Sequence, residues 1–295
     1  MANLTAGSRL PALEAGVLLA HVLHVDRAWL AAHPGAEVTP EHAAAARALF
    51  ARRLRDEPAA YLVGEREFFG LAFRVTPDVL IPRPETELLV ELALARMPPG
   101  RRLRVLDLGT GSGAIAVSLA LERPMAEVHA SDASAAALAV AADNAARHGV
   151  QVRFVLGNWF EALPGSAYDL IVCNPPYVAE ADAHWSGEIR FEPRLALEGG
   201  EDGLACIRAI VAGSPRYLQR GGWLLLEHGY DQGDACTDLL RRHAYVELAD
   251  CNDLAGIGRV SLGRRDGQAR LTAARCGAKI PTLLLRNIQQ ESKWT

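Results

Sequence analysis

The sequence predicts an α/β fold: a doubly wound, mostly parallel seven-stranded sheet over residues 101–263, preceded by a small N-terminal helical domain and a connecting β-hairpin. Three observations predict it. From Leu103 onward, short apolar runs alternate with stretches of helical period, as in strand–helix–strand units covered on both faces. The last two strand-like runs, near 245–250 and 258–262, have no helix between them, so the final strand is expected to insert antiparallel. Residues 1–63 read as helical instead, with Ala and Leu dominating.

In the helical segment, helices are expected from Leu10 to His24, from Pro40 to Leu54, and in a short stretch ending near Tyr61-Leu62-Val63-Gly64. Thr39-Pro40-Glu41 joins a capping residue, a first-turn proline and an early acid. Val17, Leu18 and Val22 supply one packed face. Through Val75 the chain carries eight basic and eight acidic residues, so residues 1–64 form a neutral module suited to recognising a protein substrate. Residues 65–100 follow as a hairpin and linker helix. Phe68 to Val75 and Val79-Leu80-Ile81 alternate, with a turn near Gly70 or Thr76-Pro77-Asp78. Pro82-Arg83-Pro84-Glu85-Thr86-Glu87 opens a helix to about Met97, and Pro98-Pro99-Gly100 breaks the chain.

In the main domain, strands are expected at 103–108, 127–131, 152–156, 168–173 and 222–227, before the final pair. Helices are expected near 113–122, 134–148, 202–219 and 231–243. Residues 1–263 contain 24 arginines and no lysine, whereas 264–295 hold both lysines and five arginines against two acids. With no amphipathic period, 264–295 is expected to be a flexible or non-native tail outside the fold.

Composition narrows the function. Half the residues are hydrophobic and 22% are charged, as in ordinary soluble domains. A net charge of −4 argues against affinity built on phosphate contacts, so no stable nucleic-acid partner is expected. The five cysteines show no C-x-x-C pair, which suits reduced thiols in the cytoplasm. No apolar run approaches a membrane span and the N-terminus lacks a signal pattern, so neither a membrane nor an exported location is expected. The nine histidines form no ligand spacing, and no metal is expected. A monomer is expected.

Chemistry concentrates at the ends of the predicted strands. Asp107-Leu108-Gly109-Thr110-Gly111-Ser112-Gly113 runs from a strand through a glycine-rich turn into a helix. Its spacing lacks the longer gap of the dinucleotide fingerprint and there is no phosphate-loop lysine, so a nucleoside cofactor without a pyrophosphate is preferred over a plain tight turn. Asp132 ends the second strand, where an acid can accept from ribose hydroxyls or cap the next helix. Asn158 and Trp159 end the third, placed to meet and flank an adenine, although Trp159 also reads as a core aromatic. Asn174-Pro175-Pro176-Tyr177 ends the fourth. Two prolines cannot continue a ladder, but they hold carbonyls rigid beside an amide and a ring. That set makes a receptor for a planar NH2 group.

These four motifs in order resemble the class I S-adenosylmethionine-dependent methyltransferases, whose Rossmann-like sheet the predicted topology matches. Further blocks narrow the resemblance: Pro82 to Glu87, Glu192-Pro193-Arg194-Leu195-Ala196-Leu197, Gly199 to Leu204 and Asp253-Leu254-Ala255-Gly256. Over roughly residues 10–263 the chain is similar to the HemK/PrmC family of peptide chain release factor N5-glutamine methyltransferases. The tail from Arg264 departs from that pattern.

The resemblance implies methyl transfer from S-adenosylmethionine to the glutamine amide of the Gly-Gly-Gln motif in release factors, the implied partners. It places the cofactor on Asp107, Gly109, Thr110, Gly111, Gly113, Asp132, Asn158, Trp159 and Asn174. Asn174, Pro175, Pro176 and Tyr177 are the implied catalytic set: Asn174 Oδ1 and the Pro175 carbonyl accept the two N–H bonds, and Tyr177 packs on the amide plane. Arg83 and Glu85, just before the sheet, are expected to line the cofactor or substrate mouth, with a rigid linker of solvated charges as the other reading. Glu192-Pro193-Arg194 is expected to close over the methylation site and bind substrate, with an ordinary loop as the other reading. Three rivals share parts of the pattern. They are a ribosomal-protein glutamine methyltransferase, a DNA adenine-N6 methyltransferase acting on a flipped base, and a silent cofactor-binding protein.

Overall fold

The computed structural model describes residues 4–266 apart from 6, 164, 166, 183 and 184. Among the described residues, helices α1 (Ala12–Leu23), α2 (Arg27–Ala32), α3 (Pro40–Arg53) and α4 (Ala59–Val63) build the N-terminal module. Thr39 caps α3, and its hydroxyl accepts from His42 N at 3.3 Å. Ala15, Leu18, Leu19, Ala46, Phe50 and Leu62 make a separate small core for this module. The helix α2 was not expected. Its start signal is Asp26, whose carboxylate accepts from Trp29 N at 2.6 Å.

Gly64, at φ 77°, ends α4 and leads into the hairpin β1 (Glu65–Phe68) and β2 (Leu71–Arg74). Phe69 and Gly70 form its two-residue turn, both at positive φ, so of the two candidate turns Gly70 is the one used. A linker then reaches α5 (Thr86–Leu94), shorter at both ends than expected.

The main domain follows the expected alternation: β3 (Arg104–Leu108), α6 (Ala114–Glu122), β4 (Glu127–Asp132), α7 (Ala135–Arg147), β5 (Val152–Leu156), β6 (Tyr168–Cys173), α8 (Ala205–Gly213), β7 (Leu218–Glu227), α9 (Gly233–Arg242), β8 (Tyr245–Asn252) and β9 (Gly258–Arg265). The sheet order is β5-β4-β3-β6-β7-β9-β8, and β9 runs antiparallel to both neighbours, as predicted. Alternation sorts each strand between two cores. Leu170 and Val172 of β6 join the core under α5 and α6, whereas Ile171 and Cys173 join the one under α8 and α9. The helix expected to 219 stops at Gly213, where Ser214-Pro215 turns the chain, and β7 starts early at Leu218.

The last strand runs to Arg265, so Arg264 and Arg265 of the expected tail pair in the sheet, opposite Val246 and Tyr245. Residues 267–295 lie outside the described residues. Among the described residues no helix is long and apolar enough to cross a membrane.

Candidate active site

Adjacent strands β5, β4, β3, β6 and β7 deliver their carboxyl ends to one edge of the sheet, around the point where the strand order reverses between β3 and β6. The glycine-rich turn sits at the end of β3. Gly109, Gly111 and Gly113 have φ of 68°, 55° and 82°, a region that side-chained residues rarely adopt. A Cβ on Gly113 would lie 3.1 Å from Ala141 Cβ, so the turn also packs hard against α7.

Two acids frame this turn. Asp107 is fully buried, and its Oδ2 accepts from the Thr110 hydroxyl at 2.7 Å. Its Oδ1 has no hydrogen-bond partner, and burial pushes the carboxyl up to about 7. Asp132, at the end of β4, takes Gly111 N on Oδ2 and Ser134 N on Oδ1, both at 2.9 Å. The cap of α7 is Ser134, which accepts from Ala137 N at 3.1 Å. Each Asp132 oxygen keeps a second lone pair for a ligand hydroxyl. Trp159, itself at φ 49°, brings Cζ3 to 3.5 Å from where a Gly109 Cβ would stand. Asn158 is exposed beside it.

Asn174 follows β6 directly. Its Nδ2 donates to the Thr86 hydroxyl at 3.1 Å. Among the described residues no protein donor is bonded to Asn174 Oδ1 or to the Pro175 carbonyl. The Tyr177 hydroxyl donates to Glu227 Oε1 at 3.2 Å, and the Tyr177 carbonyl accepts from Gln232 Nε2 at 3.1 Å. Burial of Tyr177 and the neighbouring Glu227 carboxylate raise its phenol pKa above the ordinary range, so the ring stays neutral. Gly203 backs the same loop, since a Cβ there would meet the Tyr177 carbonyl oxygen at 2.4 Å.

Arg83 and Glu192 are brought together rather than presented separately. Glu192 is buried, accepts from Ile81 N at 3.0 Å on Oε2 and pairs with Arg83 through Oε1, so it ties the linker to the wall of the cleft. Glu85 is half-buried at the start of α5, close enough to raise the Glu227 pKa. Sequence reasoning does not mark Thr86, Gln232 or Gly203 as site residues, and it reads Glu227, with His228, as a strand end at the crevice edge where packing or solvation is preferred to ligand contact. Thr86 and Gly203 sit inside blocks noted for their resemblance, but nothing local shows that they touch the tetrapeptide.

Two family models match the chain: the PrmC N-terminal domain over residues 4–64 and the methyltransferase small domain over 85–190. A release factor glutamine methyltransferase of Bordetella pertussis is 56% identical over 263 residues, which is 88% of this chain and 97% of that protein. The chain belongs to the release factor glutamine methyltransferase family. The Coxiella burnetii member is 46% identical, over 89% of this chain and 95% of its own. A crystal structure of a methyltransferase from Pyrococcus furiosus superposes with a TM-score of 0.52 at 20% identity, covering 73% of this chain and 97% of that one, and shares the fold. The protein is therefore an enzyme, a methyltransferase with the class I sheet.

Proposed function

We propose that this enzyme methylates the side-chain N5 of the glutamine in the Gly-Gly-Gln motif of peptide chain release factors, with S-adenosylmethionine as donor. The observation that carries the proposal is the state of Asn174. Its NH2 is held by Thr86, which leaves Oδ1 and the Pro175 carbonyl as two rigid acceptors matched to the two N–H bonds of a carboxamide. The relatives reported above are named release factor glutamine methyltransferases, which supports the release factor and the glutamine.

The cleft also fits the donor. Asp107 Oδ1, buried and unpartnered, suits the donor's ammonium, and the open backbone of Gly109 to Gly113 permits close approach. Asp132 suits the ribose hydroxyls, and Asn158 and Trp159 the adenine. Bound S-adenosylmethionine supplies a methyl group on a cationic sulfur. A glutamine nitrogen is a poor nucleophile because its lone pair is delocalised. Asn174 and Pro175 align that nitrogen and stabilise the positive charge growing on it, while Tyr177 covers the amide plane. The proton becomes acidic only after transfer, so a strong base is not required. A release-factor substrate and the free thiols of Cys173, Cys206 and Cys236 both suit a reducing cytoplasm.

Labelled S-adenosylmethionine, incubated in parallel with purified release factor, a ribosomal protein and duplex DNA, tests the reading. Label should enter the release factor and vanish when the Gly-Gly-Gln glutamine is replaced. Label in DNA alone overturns it. Asn174→Ala should lose about 3 kcal/mol of transition-state stabilisation, roughly a hundredfold in turnover, with donor affinity nearly intact.

A further inference from the structure

Two buried polar groups stand behind the tetrapeptide. Thr86, in the first turn of α5, is 4% exposed and accepts from Asn174 Nδ2. Glu227, at the carboxyl end of β7, is 1% exposed, accepts from the Tyr177 hydroxyl and has no hydrogen-bond partner on Oε2. The Thr86 hydroxyl faces the same carboxyl group and favours its ionised form. A hydroxyl carries a single hydrogen. When the Glu227 carboxylate attracts that hydrogen, Thr86 Oγ1 offers only lone pairs to Asn174. The amide must then turn its NH2 toward Thr86 and its oxygen away. The flipped amide would set two acceptor oxygens against each other beside a buried hydroxyl, which is disfavoured.

We infer that Thr86, oriented by Glu227, is a positioning residue that fixes which way round the Asn174 carboxamide stands, so that its oxygen faces the acceptor nitrogen. The inference rests on the glutamine-methylation reading, because only an acceptor that donates N–H bonds needs Oδ1 rather than Nδ2 in the cleft.

A dependence on pH follows. The groups facing Glu227 are Tyr177 and Cys173 from the β6 end, Thr86 and Glu85 from the start of α5, and Arg259 from β9. Burial raises the carboxyl to about 7, Glu85 pushes the same way, and the two hydroxyls and Arg259 oppose it. Once protonated, Glu227 can donate to Thr86, whose own hydrogen then turns toward Asn174 and selects the flipped amide. Turnover is expected to fall as the pH drops through about 7.

The test compares wild type, Thr86→Val, Thr86→Ser and Glu227→Gln with release factor as substrate, measuring kcat across pH and donor affinity by calorimetry. Thr86→Val should lower kcat about tenfold or more while donor Kd stays within about twofold. Thr86→Ser, which keeps the hydroxyl, should turn over several-fold faster than Thr86→Val. Glu227→Gln should lose the acidic limb that wild type shows. An active wild type matched by Thr86→Val, or an acidic limb unchanged in Glu227→Gln, overturns the inference alone. A wild type that fails to label any release factor instead overturns the functional reading beneath it. Donor affinity and kcat read as a pair separate both results from misfolding.

Discussion

Gly203→Ala should damage catalysis out of proportion to the single methyl it adds. Gly203 lies at φ 73°, and its ideal Cβ would sit 2.4 Å from the Tyr177 carbonyl oxygen and 2.6 Å from Gln232 Nε2. Contacts under 3.0 Å are essentially never tolerated, and the nearer atom is backbone of the Asn174–Tyr177 loop, so the loop must move. The left-handed backbone costs an alanine roughly 1–2 kcal/mol. Loss of the Gln232–Tyr177 hydrogen bond, at 3.1 Å, adds about 1 kcal/mol. A total of about 2–3 kcal/mol corresponds to a fall in Tm of roughly 4–12 °C for a domain of this size. Displacement of the segment that carries Asn174 and Pro175 should cost far more in rate, on the order of a hundredfold. Gly149→Ala is the control, because Gly149 has φ 68° with open space around its Cβ position. It should show the backbone cost without the rate loss. Thermal melts and release-factor methylation, run on both variants, provide the check. If Gly203→Ala matches Gly149→Ala in both, the backing of the tetrapeptide by this glycine is refuted.

Other consequences can be measured directly. Asp107 is bound to its proton more tightly in the fold than in the unfolded chain, about 7 against 3.8, so its contribution is full at acid pH and fades as pH rises to about 7. Asp107→Asn should therefore flatten the decline in Tm of the donor-free protein between those values, as melts at stepped pH would show. Asn144 joins the hairpin to the glycine-rich turn through Arg74 N at 2.8 Å, Arg74 O at 3.0 Å and Ser112 O at 2.8 Å. Asn144→Ala leaves these buried backbone groups unpaired, and should lower stability by about 1–3 kcal/mol in urea titrations and weaken donor binding. Leu18 is fully buried in the core of the helical module. Leu18→Ala should cost about 2–5 kcal/mol there, raising KM for the release factor while donor affinity measured by calorimetry holds.

Local patterns carried the legible part of this protein. Strand bounds at 168–173 agree with the expectation because Leu170-Ile171-Val172-Cys173 is a short continuous apolar run buried in the sheet, and those at 152–156 agree although that strand is a partly exposed edge carrying Arg153. Asp107, the three glycines, Asp132, Trp159 and Asn174 fall at neighbouring strand ends because that topology brings such ends together. Roles that depend on distant partners were not legible. Thr86 and Asn174 are 88 residues apart, Tyr177 and Glu227 are 50, and Ile81 and Glu192 are 111. Nothing local marks Glu192 as a tie for the linker, so it reads equally well as a charge at the mouth. Short α2 escaped notice because six residues contain too little periodicity.

The position of β9 has a consequence for how the chain is made. It is the last described strand in sequence, yet it lies inside the sheet and gives β8 its only described ladder. A ribosome releases residues 258–265 after the other described elements of the fold have emerged. Until then the flank of β7 around Leu224, Leu225 and Leu226 is an open, apolar edge able to pair with other chains. Closure of the sheet thus waits on the final strand, and a chain cut before Gly258 should aggregate rather than persist as a smaller domain.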